Sequence, residues 1–126
     1  MEHFEDGTAL YDWDERLFTV TIKPGIKMDV AHARNMVETR LRLTNSRQYP
    51  VLMKVANSVS FTKDGRDYLG TDESVRGVGA AALLADNAVK AAIANFFMKV
   101  TVQKPKVPTR IFNNEVKALQ WLEQFK

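Results

Sequence analysis

Asn57, Ser58, Thr62, Lys63, Asp64, Arg66 and Asp67 are the residues of this chain best placed to do chemistry, because they gather where an apolar run gives way to a short helix. The run Val51, Leu52, Met53, Val55 and Ala56 reads as a strand, and Thr62 is a good N-cap for the helix that follows. In a mostly parallel α/β sheet, ligands and partners bind outside the carboxyl ends of the strands. The spacing puts Asn57 and Ser58 just past the strand, while the exposed N–H groups of a helix start attract an anion or phosphate. Lys63 and Arg66 strengthen that field.

Other residue types point to little chemistry. The chain has no cysteine, which removes disulfides, thiol nucleophiles and cysteine-rich zinc sites. His3 and His32 are the only histidines and neither has a companion at metal-ligand spacing, so no metal and no cofactor is expected. No serine sits in a nucleophile-elbow motif. Asp64 and Asp67 could pair for acid-base work, but solvation and capping account for them. Gly77-Val78-Gly79 leads into a strand rather than a helix, which is the wrong setting for a dinucleotide loop. Pro105-Lys106-Val107-Pro108 matches a minimal PxxP pattern, and a stiffened loop explains it.

The bulk numbers are those of one ordinary globular domain. With 126 residues, 45% apolar and 26% charged, the chain can bury about two-thirds of the surface its unfolded form exposes. A net charge of +3 with both signs scattered gives no reason to expect nucleic acid, and the cluster Lys99, Lys104, Lys106 and Arg110 reads as a solvated loop. The acidic start, Met1-Glu2-His3-Phe4-Glu5-Asp6, lacks the features of a signal peptide, and no apolar run is long enough for a transmembrane segment. A cytoplasmic location is the expectation.

Several elements must position the polar junction. Ala9, Tyr11 and Trp13 alternate on one strand and Phe18, Val20 and Ile22 on the next, separated by Asp14-Glu15-Arg16 in an N-terminal hairpin. Pro24-Gly25 ends it. Asp29 caps a helix carrying Val30, Ala33, Val37 and Leu41 inward, with Arg34, Glu38, Arg40 and Arg42 on the remaining surface, ending near Thr44-Asn45-Ser46. After the junction, the turn Thr71-Asp72-Glu73-Ser74 and Gly77 lead into a second continuous strand, Val78 to Ala85, which predicts a parallel pair. Asn87 opens a very apolar helix with Val89, Ile93, Phe96, Phe97 and Val100, Thr109 to Phe112 forms a last strand, and Asn113 caps a final helix with Ala118, Trp121, Leu122 and Phe125 inward. The expected fold is α/β: a single domain over residues 1–126, a mixed, mostly parallel sheet of about five strands with an N-terminal hairpin, and about four helices. Residues 1–7 are expected to be a flexible tail.

The order of these elements, with Tyr49-Pro50-Val51-Leu52, Arg66-Asp67-Tyr68, Asn95-Phe96-Phe97, Pro108-Thr109-Arg110, Phe112, Ala118-Leu119 and Trp121-Leu122, resembles STAS-like domains, which are named for sulphate transporters and anti-sigma-factor antagonists. Small stand-alone bacterial members are the most similar. The resemblance implies a phosphorylatable serine at the start of the helix after the strand, in a pattern such as V-x-F-I-D-S-S-G. Laying Val59-Ser60-Phe61 on that pattern puts Lys63 at the aspartate, Asp64 at the first serine and Gly65 at the second. A carboxylate cannot receive a phosphoryl group, so this chain departs from the pattern at its switch.

The leading expectation is a non-catalytic regulatory or binding module that takes a protein partner or small ligand through residues 57–67. A lipid or apolar-ligand binder is the alternative, motivated by the helix from Asn87 to Val100, which would also serve a homodimer through residues 87–100. A small hydrolase or isomerase built from scattered Asp, Ser and His ranks third.

Overall fold

The computed structural model describes residues 1–86 and 107–126. Eight strands and three helices are found there: β1 (Glu2–Glu5), β2 (Ala9–Trp13), β3 (Phe18–Ile22), β4 (Lys27–Met28), α1 (Val30–Leu43), β5 (Tyr49–Val55), β6 (Ser60–Phe61), α2 (Lys63–Leu69), β7 (Val78–Ala85), β8 (Thr109–Phe112) and α3 (Glu115–Leu122), followed by a 3-10 turn over Glu123–Phe125. Six strands form one sheet in the order β1-β2-β3-β5-β7-β8, and β4 pairs with β6 in a small second sheet. The large sheet is antiparallel over β1, β2 and β3 and parallel from β3 to β8.

The hairpin forms as its alternation dictates. Ala9, Tyr11, Phe18, Val20 and Ile22 are buried in one core, and Asp14 closes the turn by accepting from the N–H groups of Arg16 at 2.7 Å and Leu17 at 2.9 Å. Gly25 takes φ +80°, at the third position of a turn in which Ile26 N–H donates to Lys23 O at 3.3 Å. Asp29 caps α1 through His32 N–H, and Asn45 and Ser46 end it in the left-handed region.

The sheet separates two cores. Helices α1 and α2 cover one face, where Tyr49, Val51 and Val55 of β5 meet Ala33, Met36, Val37 and Tyr68. On the other face, Ala118 and Leu122 of α3 pack over Leu52, Ala80 and Ala82. A strand covered on both sides needs apolar residues along most of its length; β7 is apolar throughout and β5 at every position but Lys54. Lys54 ties β5 to α3 through Glu115 at 2.6 Å.

Three expectations are corrected: the N-terminal tail with its strand count, the cap of α3 and the place of Arg40. Residues 1–7 are not a loose tail: Glu2–Glu5 pair antiparallel with β2, Glu2 opposite Trp13, which makes six strands in the main sheet rather than five. Three helices are found among the described residues, and the one expected from Asn87 to Val100 lies outside them, as do Lys99, Lys104, Pro105 and Lys106. Asn114, not Asn113, caps α3, its side chain accepting from Lys117 N–H at 3.1 Å. Arg40, assigned to the surface of α1, is only 6% exposed.

Candidate functional site

The junction after β5 is built around two tight turns and the small β4–β6 sheet. Val59 N–H donates to Ala56 O at 3.1 Å, leaving Asn57 and Ser58 exposed at the centre of a turn. That turn is clamped onto the Lys23–Ile26 turn, because Ser58 Oγ accepts from Gly25 N–H at 2.9 Å and Ser60 N–H donates to Ile26 O at 3.1 Å. Thr62 N–H then donates to Met28 O, also at 3.1 Å. Gly65 lets α2 settle closer still: a Cβ there would lie 2.2 Å from Met28 O.

Each polar residue singled out in the sequence falls in this region, and most already have internal work. Thr62 Oγ1 accepts from Gly65 N–H at 3.1 Å, as an N-cap should, and its hydroxyl donates to the Asp64 carboxylate. Asp64 also accepts from Gly65 N–H at 2.8 Å, and Val30 N–H, the first of α1, faces the same carboxylate. The Thr62 hydrogen bond, followed by these N–H groups, holds the Asp64 carboxyl below the usual range. It is therefore ionised, ordered and exposed, between the starts of two helices. An anionic ligand would meet a carboxylate in the place where the sequence pattern suggested an opening. Lys63 is engaged with Asp67 at 2.9 Å, one helical turn on, and Arg66 is half-buried and partnered.

A second polar cluster, which the sequence did not disclose, joins the β1–β2 connection to α1. Asp6 Oδ1 accepts from the N–H groups of Thr8 and Ala9 at 2.9 Å each, and its Oδ2 accepts from Asn35 Nδ2 at 3.1 Å. The Thr8 hydroxyl meets His32 Nδ1 at 3.1 Å, and the Tyr11 hydroxyl donates to Asp6 Oδ2 at 3.5 Å. A Thr-His pair beside an aspartate has the ingredients of a hydrolase, but Thr8 is only 4% exposed. Its observable work is to fasten the hairpin to the first turns of α1. The signal that could have found it is Asp6-x-Thr8, an Asx-turn spacing just before a strand.

Burial raises the Asp6 carboxyl, but the N–H groups of Ala9 and Thr8, with Asn35 and Tyr11, outweigh it and hold the group below the usual range. A depressed carboxyl contributes stability that is present above its unfolded value, near 3.9, and is lost as pH falls through the folded value. Asp6→Asn keeps an acceptor for Thr8 and Ala9 but loses the charge. Denaturant unfolding should show the variant less stable than wild type at about pH 6, with the gap closing as pH falls and the aspartate takes up its proton.

His3 bonds Asp12 across β1 and β2 at 2.7 Å, and among the described residues no three His, Asp or Glu side chains gather as a metal site would require. An open cleft at the opposite end of the parallel strands is lined by Trp13, Asp14, Glu15, Arg47 and Tyr49, with the Arg47 guanidinium 5.5 Å from the centre of the Tyr49 ring. No described helix is long and apolar enough to cross a membrane. The apolar-ligand and homodimer expectations rest on residues 87–100, outside the described residues.

The fold defines the chain as an α/β domain with a mostly parallel mixed sheet. It belongs to the family described as a domain of unknown function, DUF7793, whose sequence model matches residues 11–126. No curated protein and no solved structure matches the chain. The matched span contains all of the 57–67 junction, whereas Asp6 and Thr8 precede it.

Proposed function

We propose that this chain is a STAS-like, non-catalytic cytoplasmic module that recognises a protein partner through the exposed surface of residues 57–67. The order of hairpin, helix, strand and helix supports the STAS-like reading. The observation that carries the functional one is the Asp64 carboxylate, fully exposed yet fixed by Thr62 and Gly65 N–H beside the starts of α1 and α2. Surface carboxylates are usually mobile, and a fixed one loses less conformational freedom when a partner's cation engages it. Asn57 and the Lys63–Asp67 pair flank it as further exposed contacts. An aspartate where STAS-like antagonists carry their serine favours recognition that is always on over recognition switched by phosphorylation.

Capture from the native host tests the reading. Wild-type chain should retain a specific protein that Asp64→Asn and Asp64→Lys retain at least about tenfold less well, the loss of one hydrogen-bonded ion pair. If both variants fold and capture every bound protein as wild type does, the surface is misplaced.

A further inference from the structure

The stretch from Met28 to Arg40 and the stretch from Thr62 to Ser74 run side by side, and the spacing of their contacts is constant. Met28 O accepts from Thr62 N–H, the Arg34 guanidinium lies 5.2 Å from the centre of the Tyr68 ring, and Arg40 donates to Ser74 O: each contact joins residues thirty-four apart. The α2 segment is thus held along α1 at its start, middle and end. The start is a backbone contact, secured by Gly65, and the middle sets the exposed Arg34 against the buried Tyr68 ring. At the end, one buried side chain of α1 reaches into the loop.

That side chain is Arg40. Its guanidinium is buried under the loop joining α2 to β7, with Nη1 donating to Arg76 O at 2.8 Å and Nη2 to Ser74 O at 2.9 Å. Both acceptors are carbonyls. Burial lowers its pKa to about 10, which leaves it charged at neutral pH, and hydrogen bonds from a charged donor are the strong kind. Ser74 passes the constraint on: its hydroxyl donates to Leu69 O at 2.8 Å, the last carbonyl of α2, while Thr71 Oγ1 donates to Tyr68 O at 2.6 Å. Gly77 closes the loop at φ +77°, and even a Cβ there would come 3.3 Å from Arg40 Nη1.

We propose that Arg40 is the positioning residue of the α2 surface: it fixes the 70–77 loop on α1 and, through Ser74, the C-terminal end of α2, so that loop and helix loosen as one unit when the tie is cut while the sheet stays formed. The loosening stands on these contacts alone. Its consequence for recognition rests on the function proposed above.

Hydrogen exchange on the full chain separates the two. Arg40→Lys keeps the charge but cannot present two parallel N–H groups to Ser74 O and Arg76 O. Amides from Gly65 to Val78 should exchange roughly tenfold to a hundredfold faster in this variant, with β2, β3 and β5 unchanged. Ser74→Ala, which cuts only the link to Leu69 O, should accelerate exchange in the last turn of α2. Unchanged exchange over residues 65–78 in both variants overturns the proposal, and so does equal acceleration throughout the sheet. Faster exchange with unaltered retention of the captured protein supports the positioning role and overturns the recognition reading of α2.

Discussion

Gly65→Ala should destabilise the protein by about 3 kcal/mol or more, a large effect for a single methyl group. The methyl would need the space of Met28 O, 2.2 Å away, with Met28 C at 3.0 Å and Asp29 C at 3.1 Å. All three are backbone atoms, so no side chain can swing aside. Either α2 lifts off the β4–α1 connection or that connection shifts, and each movement breaks the bond from Thr62 N–H to Met28 O and disturbs the Asp64 carboxylate. Alanine is otherwise the better helix former, favoured by about 1 kcal/mol over glycine, so propensity alone predicts the opposite sign. Urea unfolding of the two proteins decides between these: an unchanged or higher midpoint in the variant would mean that α2 has room to spare.

Phe18→Ala should cost about 4 kcal/mol. Phe18 is wholly buried at the start of β3, the strand at which the sheet changes from antiparallel to parallel pairing. Its ring lies 6.1 Å from Tyr11, 5.7 Å from Trp13 and 6.2 Å from Tyr49, so it joins the hairpin to the first parallel strand. Truncation leaves a cavity among rings that cannot all collapse into it, and the cavity adds to the lost burial. Phe18→Leu, which keeps most of the volume, should cost less than half as much in the same unfolding experiment. Equal costs for the two would show that the ring contacts, rather than the space filled, hold this corner.

The elements that announced themselves in the sequence are those whose stability is visible in one segment at a time. Tyr11, Trp13, Phe18 and Val20 alternate because one face of a hairpin is covered, while Val51 to Val55, apart from Lys54, and Val78 to Ala85 run apolar because both faces are. Asp29 and Thr62 were legible because a cap is a local device. Glu2-His3-Phe4-Glu5 carries one apolar residue and forms β1 only because β2 is beside it. The two-residue strands β4 and β6 have no period at all, and their pairing depends on the Gly25–Ser58 and Ile26–Ser60 bonds formed between distant turns. Arg40 was placed on the surface by the rule that charged residues lie outside. Two loop carbonyls facing it reverse that rule, and no pattern within α1 can report them.

The candidate site divides in the same way. Its position after β5 and its Thr62 cap followed from residue types, and the residues from Asn57 to Asp67 do lie together. Their mutual satisfaction did not follow. A helix start, a lysine and an arginine suggested a place for an anion, but Asp64 occupies the helix start and Lys63 is paired with Asp67. What remains exposed is a fixed carboxylate rather than a vacant positive end, which points away from an anionic ligand and toward a basic partner surface.

The most direct test of this surface is the hydrogen-exchange footprint of the chain with its captured host protein. The proposed function predicts slowed exchange over residues 57–67 and little change at Trp13, Arg47 and Tyr49, at the far end of the sheet. Protection at that far end, with residues 57–67 exchanging as in the free chain, would contradict it.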